Sequence, residues 1–172
     1  MCESKLFKYM KSKLPAIPTK FQISELFQKL TGKTKVVKVF NSLFSNTGEC
    51  NLLLSPGFNG CHGVGIFSNN KFFFGHYPPV RSEKMKAAIK ENLSNFASDC
   101  RSAKIILVSP TSKTGCCDKE FGEYLSLIKQ HFNNDIQVEM LRYPERNKGF
   151  SWQFVGKING NSIFSKLEKV KN

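Results

Sequence analysis

The sequence predicts an α/β chain of the α+β kind: a mixed, largely antiparallel β-sheet or sandwich flanked by helices. Three observations lead there. Short β-branched and aromatic runs crowd residues 35–75, apolar residues recur at helical spacing over 85–96 and 121–132, and strands alternate with those helices towards the C-terminus. With 172 residues, 40% of them hydrophobic and sixteen of them Phe, the chain is long enough for one domain with an ordinary core. Residues 1–20 are expected to form a basic helix and connector, and residues 21–172 the single domain that carries the site.

Leu6, Phe7, Met10 and Leu14 share one helical face among Lys5, Lys8, Lys11 and Lys13, and Pro15 stops the pattern. Ile23, Leu26, Phe27 and Leu30 mark a second helix closed by Gly32. Residues 35–44 read as the first strand and Asn46-Thr47-Gly48 as a turn. Residues 51–55 read as a second strand, which hands the chain to the loop Pro56-Gly57-Phe58-Asn59-Gly60. The runs 63–67 and 71–75 flank Ser68-Asn69-Asn70; Asn tolerates positive φ, so a tight hairpin is expected with Asn69-Asn70 as its turn. Tyr77-Pro78-Pro79 ends its second strand.

Ser82 is the expected N-cap of a helix burying Met85, Ala88, Ile89, Leu93 and Phe96. Residues 104–108 form a short strand in the sheet's interior and 109–115 a polar loop. Asp118 caps a helix with Phe121, Tyr124, Leu125, Ile128 and Phe132 on one side and His131 on the surface. Residues 136–143 read as a strand and 144–149 as a charged loop. A final hairpin, 152–158 with 162–167, turns about Asn159-Gly160, and the Lys-rich tail beyond Leu167 is expected to be mobile.

The formal charge is +13, mostly from Lys. Such a field draws anionic partners, but Lys lacks the planar fork that reads base edges, and no nucleic-acid-binding motif is present. An acidic protein or an anionic membrane surface is the better match. No run approaches the ~20 apolar residues of a membrane span. The six cysteines follow no signal-like start, so free thiols in a reducing, cytoplasmic setting are expected. Cys116 and Cys117 are adjacent and the three histidines lie apart, so neither zinc nor any other metal or cofactor is expected.

The central hairpin supplies the candidate site. If Ser68 faces Lys71, each cross-strand pair sums to 139, which sets His76 opposite Gly63. Cys61, two residues before Gly63, then shares that face diagonally at roughly 7 to 8 Å. Gly63 would leave the space between them open, and His62 must point the other way. A thiol within reach of an imidazole is the minimum for nucleophilic catalysis. Gly57, Gly60 and Gly63 would let backbone N–H groups near Cys61 approach a substrate carbonyl as an oxyanion hole, with Asn59 beside them. The plain alternative is a buried structural cysteine beside a histidine at a strand end.

Residues 55–79 resemble the chemoreceptor glutamine deamidases of the CheD family and the catalytic domains of the cytotoxic necrotising factor and lethal-factor deamidase toxins. The matching residues are Ser55, Gly60-Cys61 and His76, and the later order of elements is similar over about residues 36–165. CheD proteins usually carry Gly-Ser-Cys and a threonine where this chain has Asn59-Gly60-Cys61 and Ser55, so the toxin branch is the nearer likeness. The resemblance implies a Cys61 nucleophile, a His76 base and a Ser55 that orients the imidazole, with Gly60, Asn59 and Gly63 around the substrate. It implies deamidation of an exposed Gln of a protein substrate by a monomeric toxin or effector acting in the host cytosol. The substrate would be acidic or membrane-associated, such as a small GTPase or a translation factor. A transglutaminase or cysteine protease on the same dyad, or a non-enzymatic basic binding module, are the alternatives.

Overall fold

The computed structural model describes residues 33–96, 102–111, 116–133, 135–144, 149–159 and 162–171. The two N-terminal helices expected within residues 1–32 lie outside these. In chain order the elements are β1 (Thr34–Val36), β2 (Asn41–Asn46), β3 (Leu52–Phe58), β4 (His62–Ser68), β5 (Lys71–Tyr77), α1 (Ser82–Leu93), β6 (Ala103–Thr111), α2 (Cys116–His131), β7 (Ile136–Pro144), β8 (Phe150–Asn159) and β9 (Ser162–Lys171). Single 3-10 turns occupy Thr47–Glu49 and Pro79–Arg81.

The strands form two mixed, mainly antiparallel sheets, ordered β1-β3-β8-β9 and β2-β5-β4-β6-β7. Among the described residues only β1 with β3 and β6 with β7 pair in parallel. The larger sheet is covered on both faces, and the alternation of its residues divides the core accordingly. Val64, Ile66, Phe73, Ile105 and Leu107 meet Met85 and Ile89 of α1 and Phe121 and Ile128 of α2. Phe67, Phe72, Phe74, Ile106 and Val108 meet Leu53, Phe58, Phe154 and Ile158 of the smaller sheet. Burying each of these aliphatic or aromatic side chains contributes on the order of 1.5–3 kcal/mol. The α+β sandwich flanked by helices therefore stands as expected.

The central hairpin has the expected register, Ser68 against Lys71 and Gly63 against His76, and Asn69 and Asn70 both have positive φ. Several boundaries differ. The single strand expected over 35–44 is two: β1 joins the smaller sheet, Phe40 takes φ +69°, and β2 then joins the larger one beside β5. Strand β3 runs on through Pro56 to Phe58 by way of a bulge at Gly57, which has φ +89°. Arg81, not Ser82, precedes the first turn of α1. Helix α2 starts at Cys116, ahead of Asp118, and β6 extends through residues 109–111 expected to be loop. In the last hairpin Asn159, expected in the turn, is still paired, opposite Ser162. The tail is not free either: β9 continues to Lys171, opposite Phe150, where Lys169 Nζ lies 4.0 Å from the Phe150 ring centroid.

Candidate active site

Strands from both sheets meet at the candidate site. His76 is the sixth residue of β5 and lies on the face of the larger sheet that looks at β3. Ser55 of β3 reaches it, Oγ to Nδ1 at 2.8 Å, while the same Oγ donates to the Val37 carbonyl at 2.7 Å. A hydroxyl has one proton and a carbonyl only accepts. The network therefore assigns the ring proton to Nδ1, which donates to Ser55 and leaves Nε2 with its lone pair. Nε2 is buried and has no hydrogen-bond partner among the described residues. Burial also pushes the His76 pKa down to about 3, so the imidazole is neutral at pH 7.

Phe58 completes the pocket around the ring. The bulge at Gly57 inserts one residue and shifts the parity of β3, so that Phe58 points to the same side as Ser55. Its ring stacks on His76 with centroids 3.8 Å apart and planes 5° from parallel. This corrects one expectation about Gly63. The space over Gly63 is not left open for a substrate, because Phe58 fills it: a Cβ on Gly63 would lie 2.9 Å from Phe58 Cζ and 3.1 Å from Val108 Cβ. Gly63→Ala is expected to destabilise the fold by about 1–3 kcal/mol through overpacking, read from the urea midpoint.

Cys61 immediately precedes β4, on the side of Gly63, and is 9% exposed against 0% for His76 and Ser55. Cys61 is itself buried, in the core cluster that holds Phe58, Val108 and Tyr143. Tyr143, at the end of β7, holds its backbone on both sides: the Gly60 N–H donates to Tyr143 Oη at 3.0 Å, and Tyr143 O–H donates to the Cys61 carbonyl at 2.6 Å. The Gly60 amide is thus committed to Tyr143, which corrects its expected place in an oxyanion hole. Asn59 is exposed in the turn between β3 and β4. Tyr143→Phe keeps the ring and leaves the Gly60 N–H and Cys61 C=O without this partner. A loss of about 1–3 kcal/mol in stability is expected, with faster hydrogen exchange at the Gly60 amide by NMR.

His62 points to the opposite face, as the alternation requires. It is 1% exposed, with Nδ1 3.3 Å from Glu120 Oε2 and its ring 5.0 Å from Phe121 of α2. Burial lowers its pKa to about 4 and raises that of Glu120. Among the described residues no three His, Cys, Asp or Glu side chains gather as a metal site would need, and no helix is long and apolar enough to cross a membrane. Val37, Phe58 and Tyr143 escaped the sequence reading. A bulge residue and a backbone carbonyl leave no periodic signal; a tyrosine ending an apolar strand was the one available hint, since a buried hydroxyl needs a partner.

No family model matches the chain, and no curated protein matches it. Among solved structures it is similar to the Neisseria meningitidis protein NMB0706, of the family DUF152, at 8% identity and a TM-score of 0.42 over 70% of this chain and 67% of that one. It is also similar to the C-terminal domain of CNFy from Yersinia pseudotuberculosis, at 11% identity and a TM-score of 0.32 over 79% of this chain and 56% of that one. These likenesses are faint and reach no residue of the site.

Proposed function

We propose that the protein is a glutamine deamidase acting on a protein substrate, with Cys61 as nucleophile, His76 as base and Ser55 as the group that orients His76. The observation that supports this reading is the chain Val37 C=O, Ser55 O–H, His76 Nδ1–H, which leaves Nε2 with its lone pair.

In the first half-reaction the Cys61 proton passes to Nε2 as sulfur bonds to the carboxamide carbon. The resulting imidazolium is stabilised by the Ser55 oxygen and by the negative charge forming beside it. Collapse of the tetrahedral adduct breaks the C–N bond. Nε2–H protonates the departing nitrogen, giving ammonia and a thioester. In the second half-reaction Nε2 takes a proton from water, whose oxygen attacks the thioester carbon. The C–S bond then breaks, glutamate leaves, and the thiol is restored. Phe58, packed on the imidazole, keeps water from the ring face and limits proton loss to solvent.

The resemblance to the toxin branch and the charge of +13 favour an effector working on an acidic protein in the cytosol of a target cell. The test is mass spectrometry of a target-cell lysate treated with wild type or Cys61→Ala. Gln-to-Glu conversion with ammonia release, present only with wild type, supports the reading. Amine incorporation or peptide cleavage in its place would move the chemistry to a transglutaminase or a protease on the same dyad.

A further inference from the structure

We propose that Phe40 is a docking residue for the protein substrate, held beside the site to meet an apolar patch flanked by acidic residues near the target glutamine. This rests on the deamidase reading above.

Phe40 is the third residue of a tight turn, closed where the Asn41 N–H donates to the Lys38 carbonyl at 3.2 Å. Its φ is +69°. A turn with positive φ at that position ordinarily takes glycine or asparagine, because a bulky side chain is strained there. The other described non-glycine residues with positive φ are Asn69, Asn70 and Asn133, all of the tolerant type. Phe40 is the exception, and its ring gains little from the core in return, being 55% exposed. Backbone strain kept without a packing gain points to a use for the exposed ring.

The position of the turn says what the ring meets. The Phe40 N–H donates to the His76 carbonyl at 2.8 Å, and Val37, three residues earlier, accepts the Ser55 hydroxyl. The segment 37–40 is therefore hydrogen-bonded to both residues that prepare the base. Lys38 is exposed in the same turn, on a chain of charge +13, so an acidic margin on the partner complements it. A rigidly presented aromatic beside a cation is the composition of an interface anchor.

The test compares wild type with Phe40→Gly and Phe40→Asn, both of which suit the turn. Three measurements are made: Gln-to-Glu conversion of lysate proteins, ammonia release from a blocked Gln-Gly dipeptide, and thermal unfolding with light scattering. The docking role predicts that protein deamidation falls about tenfold further than dipeptide deamidation in both variants. It also predicts a Tm at or above that of wild type, as strain is released. Equal losses on protein and dipeptide would overturn the role. So would a lowered Tm, which would mean that other residues of the chain cover the ring, or a wild-type dimer that the variants dissolve. No turnover of either substrate by wild type, with Cys61 intact, would instead remove the deamidase reading and this inference with it.

Discussion

Cys61→Ala and His76→Gln are each expected to lower glutamine deamidation by about a thousandfold or more, since thiol and base act as one unit and losing either removes the covalent route. Ser55→Ala should cost less, about ten- to a hundredfold. It abolishes the contact that fixes the Nδ1–H tautomer but leaves a base in place. Ser55→Thr retains a hydroxyl for both Val37 and His76 and should recover much of the loss, which a merely space-filling role would not predict. Because His76 is fully buried beneath Phe58, its variant must first be shown folded by circular dichroism. His62→Ala is the informative control. His62 lies on the helix face against Glu120, so it can lower stability, but its side chain is separated from the thiol by the sheet itself. Activity that survives His76→Gln but not His62→Ala would place the base on the wrong side of β4 and end the proposed mechanism.

The parts of this arrangement that follow from parity were legible in the sequence. Asn69-Asn70 fixes the turn, the turn fixes Gly63 against His76, and period-two alternation then sends Cys61 and His62 to opposite faces. What could not be read were the features that break periodicity. The bulge at Gly57 changes which face Phe58 serves, so a residue expected in a loop becomes the cover of the imidazole. Phe40 in a left-handed turn divides one apparent strand between two sheets, because the β-branched run on its N-terminal side gives no hint that the chain will cross over. The same limit applies to Gly63. Sequence suggests small size and hence space, whereas the fold brings Phe58 from another strand to occupy it. Distant partners such as Tyr143 depend on how β7 is laid beside β6, a parallel pairing with a crossover that local pattern does not encode.

Acid is expected to unfold the protein from a higher pH than its carboxylates alone would dictate. His76 and His62 are held neutral by burial, at about 3 and about 4, whereas in the unfolded chain both titrate near 6.5. Between those values the unfolded state binds more protons than the folded one, so stability rises with pH; it is fully present above about 6.5 and is lost on acidification. At pH 5 each histidine forfeits roughly 2 kcal/mol, which is large beside the 5–15 kcal/mol that holds a typical domain together. The Glu120 carboxylate 3.3 Å from His62 favours the imidazolium and reduces that residue's share, so His76, whose Nδ1 faces only the Ser55 hydroxyl, should dominate. Glu49 and Glu123, held below the usual carboxylate range by Asn46 and Lys86 respectively, act in the same direction but only below about pH 4.5. Urea midpoints measured from pH 7 to 5 therefore read the histidines against the opposing effect of Glu120, whose pKa burial raises. The slope should be steep in wild type and shallower in both His76→Gln and His62→Gln. A midpoint flat across that interval would mean that the folded chain accommodates the imidazolium and that burial does not depress the histidine pKa values.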